Sequence, residues 1–421
     1  MPRRAKTRSR PLSDEQLLEL VQRQTFGYFW EGADPVSALA RDRCGRDADT
    51  PDVPVAIGGS GFGALALIIA CERGWIARNQ ALARFGRMLD CLEQATRYHG
   101  MYPHFIRGDT GATVPFSAQD DGADVAETAF LFQGLLCARA YFDSAALPES
   151  RLRQRITRLW SAAQWPWFIQ KDRSALTWHW SPNHGFALNN EICGWNECLI
   201  AYVLAAGAPE HPISPAAYHE GWARGRDFIN GASYEDIALP LGPAWGGPLF
   251  FAHFSFCGLD PRGLCDRYAD YWQQNLAHTG INHAYCVRNP HHYLGYGPAC
   301  WGLSASDSMA GYAAHAPDND LGVITPAAAL SSFIYAPAHA MAALRHFHEK
   351  LGARIWGRFG FVEGFSEQHD WYADAFVAIN QGPLIAMIEN YRSGLIWKLC
   401  MGIPEIRSGL ASLGFRSPHL P

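Results

Sequence analysis

FSAQDDGADVAETAFLFQGLL, residues 116–136, sets three aspartates, Asp120, Asp121 and Asp124, just ahead of Glu127 and then runs straight into an apolar segment. Like charges this close raise one another's pKa, and such crowding marks a place where a substrate, a metal or a strong partner requires it. The apolar spacing predicts a helix over 124–142. If that helix reaches back to Asp120, then Asp120, Asp124 and Glu127 stack on one face. If it begins at Asp124, Asp120 or Asp121 serves as its N-terminal cap.

Outward from this stretch the pattern is helix after helix. Ser13 and Gln16 form a capping box, and Leu17, Leu18, Val21, Phe26 and Phe29 recur at helical spacing up to Trp30. Further helices are predicted over 61–73, 77–98, 151–171 with an interruption at Pro166, 215–228, 263–277, 326–351 with a break at Pro337, 371–388 and 391–400, while 178–206 passes from an aromatic, polar loop into an apolar helix with Glu191 and Glu197 at the transition. Between them lie long Gly/Pro-rich spans, 31–60, 230–261 and 278–324, of a length that is usually functional in a compact domain. A dozen helices in pairs, few strands and no central linker predict an all-α fold in one domain over 13–421, an α/α toroid whose long loops wall a cleft. Residues 1–12 read as a disordered basic tail.

Several function classes are excluded by composition and motif. Net charge is −5 with 18% charged residues, so no broad basic surface serves nucleic acid. Eleven scattered cysteines without a CxxC pair give neither a disulfide framework nor a zinc ribbon. No apolar run long enough for a membrane span occurs, and no leader follows the basic N-terminus, so the chain is expected in the cytoplasm, or in the periplasm if a longer precursor was trimmed. GGSGFGA, residues 58–64, fits GxGxxA through Gly59, Gly61 and Ala64. It lacks the downstream acidic residue and the strand–helix alternation of a dinucleotide site, so its glycines are read as close helix packing. The acidic runs 120–124 and 318–320 complete no EF-hand loop, the histidine pairs 291–292 and 346/348 lack HExxH, and no GxSxG elbow is present. No metal and no cofactor are expected.

What remains is carboxylates and aromatics in the same segments. Glycoside hydrolysis needs one carboxyl held protonated for the leaving oxygen and one carboxylate that activates water or attacks carbon. Aromatic faces cover the apolar faces of a sugar ring, while Asn, His and Asp bind its hydroxyls. Trp178, Trp180, Trp195, Trp245, Tyr296 and Trp301 are the candidate platforms, and His179, Asn196, His253, Asp307 and His315 the candidate hydroxyl partners.

Six long motifs carry a resemblance. DVAETAFLFQGLL (124–136), TWHWSPNHGFALNNEICGWNE (177–197), LPLGPAWGGPLFFAHFSFCGLDPRG (239–263), ACWGLSASDS (299–308), GYAAHAPDNDLGVITPAAALSSF (311–333) and NQGPLIAMIENYRSGLIWKL (380–399) resemble the glucoamylase-like domain of glycoside hydrolase family 144. The likeness spans nearly everything from Leu12 to Phe415. It implies an (α/α)6 barrel, a cleft at one end, inverting hydrolysis of β-1,2-linked glucan or sophoro-oligosaccharides, and no metal requirement. It further implies that Asp120, Asp124 and Glu127 matter for activity and that Glu197 of GWNE is the general acid. Asp120, Asp124, Asp307 and Glu363 stay open as the base. Two positions depart from the family pattern: Asn380 stands where an acidic residue is usual, and Cys193 where an Arg precedes GWNE. The alternatives are a transglycosylase on the same scaffold and a non-catalytic glucan-binding protein.

Overall fold

The structure is a computed structural model that describes residues 12–47, 52–224 and 228–420. The tail expected over 1–12 therefore falls, but for Leu12, outside the described residues. Helices dominate: α1 (Asp14–Trp30), α2 (Ile57–Glu72), α3 (Arg78–Gln94), α4 (Val125–Tyr141), α5 (Leu147–Ser161), α6 (Leu199–Gly207), α7 (Tyr271–Arg288), α8 (Pro326–Ser331), α9 (Pro337–Glu349), α10 (Gly352–Ile355), α11 (Ala378–Arg392), α12 (Leu395–Met401) and α13 (Pro404–Ser412). Among the described residues the strands are two to four residues long and pair antiparallel. They serve as loop stiffeners. Arg43–Gly45 pairs with Ala375–Val377, Ala123–Asp124 with His179–Trp180, and Ala305–Ser308 with Gly311–Ala314.

Two kinds of helix are present. Every residue of α2 from Ile57 to Ala70, of α4 from Val125 to Ala138, and of α6 is buried. A helix apolar all round belongs inside a layer of others. By contrast α3 and α5 bury only one stripe each, Ala81, Phe85, Met88, Leu89 and Leu92 on α3 and Leu152, Ile156, Leu159 and Trp160, with Glu149, on α5. The inner helix α2 packs on α4 and α11, α4 on α6 and α12, α11 on α8, and α6 on α13, while α1, α3 and α9 lie against their outer sides.

Backbone-to-backbone approach makes this possible. A Cβ on Gly134 of α4 would lie 1.9 Å from the Gly61 carbonyl oxygen of α2, and one on Gly61 would lie 2.1 Å from that of Phe130. The GxGxxA match thus lies in the first half of a buried helix, which accounts for its glycines as packing.

Several sequence-based boundaries moved. The helix expected over 263–277 is instead Tyr271–Arg288, because Asp266 holds the preceding segment in a turn by accepting the amides of Tyr268 and Ala269, and Asp270 caps the true start through Trp272 and Gln273. Residues 371–377 are strand and turn, since Ala375–Val377 is drawn into pairing with Arg43–Gly45, so α11 starts only at Ala378. The apolar helix expected at the end of 178–206 is α6, which begins two residues after Glu197, and of the helix expected over 215–228 the described residues show a π-type turn, Ala217–Trp222. Helix α13 was not anticipated.

Gly134→Ala is expected to destabilise the protein by about 3 kcal/mol, because overpacking against a rigid carbonyl has no cheap relief. Gly86→Ala on α3, where a Cβ meets nothing within 4 Å, should stabilise by about 0.5 kcal/mol. Paired urea unfolding curves check both.

Candidate active site

Helix α4 begins immediately after Asp124, and this decides how the acidic stretch is used. Asp124 itself is the cap: its Oδ1 accepts the Glu127 amide at 2.9 Å. Neither earlier aspartate takes that role, and the helix does not extend back to stack Asp120. Asp120 instead closes a small loop by backbone pairing with Ser117, and its side chain turns toward His179, with Nε2 to Oδ2 at 3.4 Å.

The second Asp124 oxygen, Oδ2, accepts from His104 Nδ1 at 3.0 Å and lies 3.6 Å from His179 Nε2. His104 is a residue the sequence reading passed over. It stands in the loop before the Phe105–Ile106 strand, and no local motif marks it. Burial acts to lower its pKa, but Glu127, Asp124 and Asp120 around it overcome this and raise it to about 9. At neutral pH it is a cation. His104, Asp120 and Asp124 bring ligand-type atoms within 4.8 Å of one another. The His104–Asp124 hydrogen bond and the approach of His179 to Asp120 and Asp124 join these side chains as a charge cluster.

The neighbouring carboxyls are driven apart in protonation. Burial raises Asp124, yet the His104 hydrogen bond, the His179 and His104 charges and the Glu127 amide bring it below the ordinary aspartate value, so it is ionised. Glu127 accepts the Gly58 amide at 2.7 Å, but burial and the Asp124 charge push its pKa up to about 7. Glu197 is likewise pushed up to about 7 by burial, with the charges of Asp124 and Glu127 adding to it. It sits two residues before α6, with its carbonyl oxygen accepting from Ser255 Oγ. Asp120 is raised chiefly by burial, and its Oδ1 has no protein partner. A pair of carboxyls with separated protonation states is what acid–base chemistry requires.

A second cluster adjoins the first. Arg43 bridges Asp42 at 3.3 Å and Asp307 at 3.4 Å. Glu363, 1% exposed, accepts from Asn380 Nδ2 at 2.5 Å, and burial and the Asp307 charge push its pKa well up. Asn380 also donates to the Ala305 carbonyl, so at this departure from the family pattern an amide takes up the oxygens around it. Electrostatics link the clusters, since Asp42 acts on both Glu127 and His104. At the other departure, Cys193, a guanidinium still arrives: Arg224 reaches Glu191 and the Cys193 sulfur from a distant part of the chain.

The expected aromatics divide. Trp178 and Trp180 are half-buried beside the cluster, Trp178 stacked on His179 at 5.8 Å and Trp180 in the strand opposite Ala123. Trp195 is 3% exposed among Trp222, Phe228, Phe256 and Tyr271, and Trp301 is fully buried, so both are core side chains. His253 is also core, with Nε2 3.0 Å from Ser332 Oγ and a pKa pushed down to about 3 by burial, and His315 is fully buried. Asn196 caps locally by accepting the Cys198 amide. Tyr296 donates to Asp320, and Trp245 packs on Tyr234 and on Tyr285 of α7, so both rings brace the loops they stand in. Two exposed aromatics escaped notice: Phe116, 58% exposed, against His104, and Tyr312, 51% exposed, opposite Asp307.

Folded Glu197 and Glu127 hold their protons to about pH 7, whereas the ordinary value is 4.5. The folded state therefore binds more protons in that window, and stability is fullest below it and falls as pH rises through about 7. Glu197→Gln should remove its share, gaining on the order of 2 kcal/mol at pH 8 relative to pH 4.5. Thermal melts of both proteins across this range measure it.

Known proteins resemble this chain in sequence and fold. The Glycoamylase family model, described as "Putative glucoamylase", matches residues 189–404. A curated relative from Parabacteroides distasonis, an exo β-1,2-glucooligosaccharide sophorohydrolase acting at the non-reducing end, is 41% identical over 96% of this chain. The chain spans 58% of that relative's length. A crystal structure from Bacteroides uniformis, described as a putative glucoamylase, is 51% identical, covers 98% of this chain and 100% of its own, and superposes with a TM-score of 0.95. An endo-β-1,2-glucanase from Chitinophaga pinensis, in complex with sophorotriose and glucose, is 47% identical over 97% of this chain and 100% of its own, also with a TM-score of 0.95. With likeness at this level running end to end over whole chains, this chain belongs to the glucoamylase-like family, glycoside hydrolase family 144.

Proposed function

We propose that the protein hydrolyses β-1,2-linked glucan or sophoro-oligosaccharides, with Glu197 as general acid. The observation that carries this is the Glu197 carboxyl, pushed up to about 7 chiefly by burial, in the same electrostatic neighbourhood as the acidic cluster of Asp120, Asp124 and Glu127. A carboxyl with a pKa near neutrality is both protonated often enough and acidic enough to donate to a leaving oxygen. The substrate class is the one named for the Parabacteroides and Chitinophaga relatives.

In this reading Asp124 positions rather than reacts. Its two oxygens are committed to the Glu127 amide and to His104 and His179, so it anchors the helix start and fixes both imidazoles. Asp120, with one oxygen free of protein partners, is the carboxylate that holds and deprotonates the attacking water on the opposite face of the sugar, giving an inverted anomer. Trp178, Trp180, Phe116 and Tyr312 supply the apolar faces around the ring, and Asp42, Arg43 and Asp307 its polar contacts further along the cleft. The scaffold is a single-domain (α/α)6 barrel, with α2, α4, α6, the short helical turns over 249–257, α8 and α11 as its inner ring. Contacts of α2 with α4 and α11, α4 with α6, and α6 and α11 with the turn at Ser255–Cys257 support that closure.

Incubation with linear β-1,2-glucan should release sophorose or longer β-1,2-oligosaccharides, with the inverted anomer first seen by NMR. Growing or cyclic products would make the scaffold a transglycosylase, and tight binding without reducing-end release a binding protein. Glu197→Gln should lower kcat by about 10³ while leaving oligosaccharide affinity in place. The wild-type rate should fall as pH rises through about 7, where Glu197 loses its proton. Retained turnover in Glu197→Gln removes it as the acid.

A further inference from the structure

Away from the acidic cleft, three side chains from distant parts of the chain meet. Cys300 lies on the loop between α7 and the Ala305–Ser308 strand, His346 in the last turn of α9, and Glu367 directly after the Phe365–Ser366 strand. Their Sγ, ring nitrogen and carboxylate oxygen all lie within 4.8 Å of one another. Cys300 is 2% exposed, while His346 and Glu367 are half-buried and open the cluster to solvent on one side. The His346 Nε2 atom is itself buried and has no protein partner. A buried ring nitrogen left unpaired on an imidazole that adjoins a thiol and a carboxylate is costly, and a hydrogen-bond network would have used it. The carboxylate is pressed into place as well: a Cβ on Gly295 would meet Glu367 Oε1 at 2.2 Å, and Gly295 has φ +92°, so a glycine there makes room for it.

We infer that Cys300, His346 and Glu367 form a binding site for a borderline divalent cation of the zinc type, with a water in the fourth position. One sulfur, one imidazole nitrogen and one carboxylate oxygen match the donor preference of zinc and cobalt and not that of calcium or magnesium. Coordination at about 2.0–2.3 Å asks the three donor atoms to close in by roughly 1 Å, which a Glu367 side chain at a hairpin turn can supply. The Cys300 thiol gives up its proton to solvent as the metal–sulfur bond forms, and neutral His346 offers the lone pair of Nε2.

The site has a structural consequence. The Cys300 loop leads into the strand carrying Asp307, and Glu367 follows the strand that begins just after Glu363 and pairs through Phe365 with Ile324. A metal here would clamp the backing of both carboxylates to α9. Its chemistry is independent of the sugar reaction, so it stands or falls separately from the proposed activity.

The test uses the full chain, stripped with EDTA under reducing conditions and titrated with Co²⁺. One equivalent should give thiolate-to-cobalt charge-transfer absorption in the near ultraviolet and tetrahedral bands in the visible, all displaced by Zn²⁺ and not by Mg²⁺. Zn²⁺ at about a hundredfold excess over Kd should raise the melting midpoint by about 2–4 °C. Cys300→Ser should abolish the charge-transfer band, and Glu367→Gln, at a half-buried position that leaves the core untouched, should weaken binding at least tenfold, both with wild-type circular dichroism. Absence of the band in the wild type, or its survival in Cys300→Ser through one of the other thiols, overturns the proposal. Unchanged affinity in Glu367→Gln does the same for the carboxylate's part in it.

Discussion

The contact on which the site depends is the 2.7 Å hydrogen bond from the Gly58 amide, at the start of α2, to the Glu127 carboxyl in the first turn of α4. It is possible only because both helices begin at the same end and run side by side. A Cβ on Gly58 would lie 2.7 Å from Glu127 Oε2, so the residue there must be glycine for the carboxyl to reach the amide. The same end receives the start of α6 behind Glu197 and the start of α11, whose first turn carries Asn380 against Glu363. Helix starts expose unpaired N–H groups and a positive dipole end, which favours carboxyl groups there and disfavours them almost anywhere else in a core.

That convergence explains why several carboxyls coexist in a buried space. Taking charge out of water is expensive unless it is paired or the group takes a proton. Both remedies are used. Asp124 is paired, with an amide on one oxygen and two imidazoles on the other, and His104 gains a proton from the same exchange. Glu127 and Glu197, with fewer partners, are left near neutrality. The difference in partners, rather than any intrinsic difference between the side chains, divides the labour.

At the opposite ends of the inner helices charge is handled as plain structure. Arg73 holds Glu389 through two hydrogen bonds of 2.9 Å, and Gln22 of α1 joins the same carboxylate, tying α1, α2 and α11 together. Glu389 is as buried as Glu363, yet it has a guanidinium. The contrast separates a carboxylate fully paired within the assembly from carboxyls left with fewer partners.

Much of this was legible in the chain. The capping box at Ser13, the helical run of α4 and the acidic stretch before it follow from local rules of period and charge and returned where expected, while α2 starts four residues ahead of its expected Gly61 because its glycines pack inside the helix. Those rules are short-ranged, and they fail where a partner lies far away in sequence. Trp301 and His253 sit in Gly/Pro-rich segments that look like loop surface, and Trp195 at the entry to a helix, but the fold turns all three inward because large rings fill the space between helices. His104, Asp42 and Arg43 carry no motif, and they become site residues only because strand pairing and helix starts bring residues 42, 104, 127, 307 and 363 into one electrostatic neighbourhood. The sequence by itself determined that the protein is helical and that carboxyls crowd before α4. Which carboxyl keeps its proton was decided by the tertiary structure alone, since a pKa is set by burial and by neighbours contributed from across the chain.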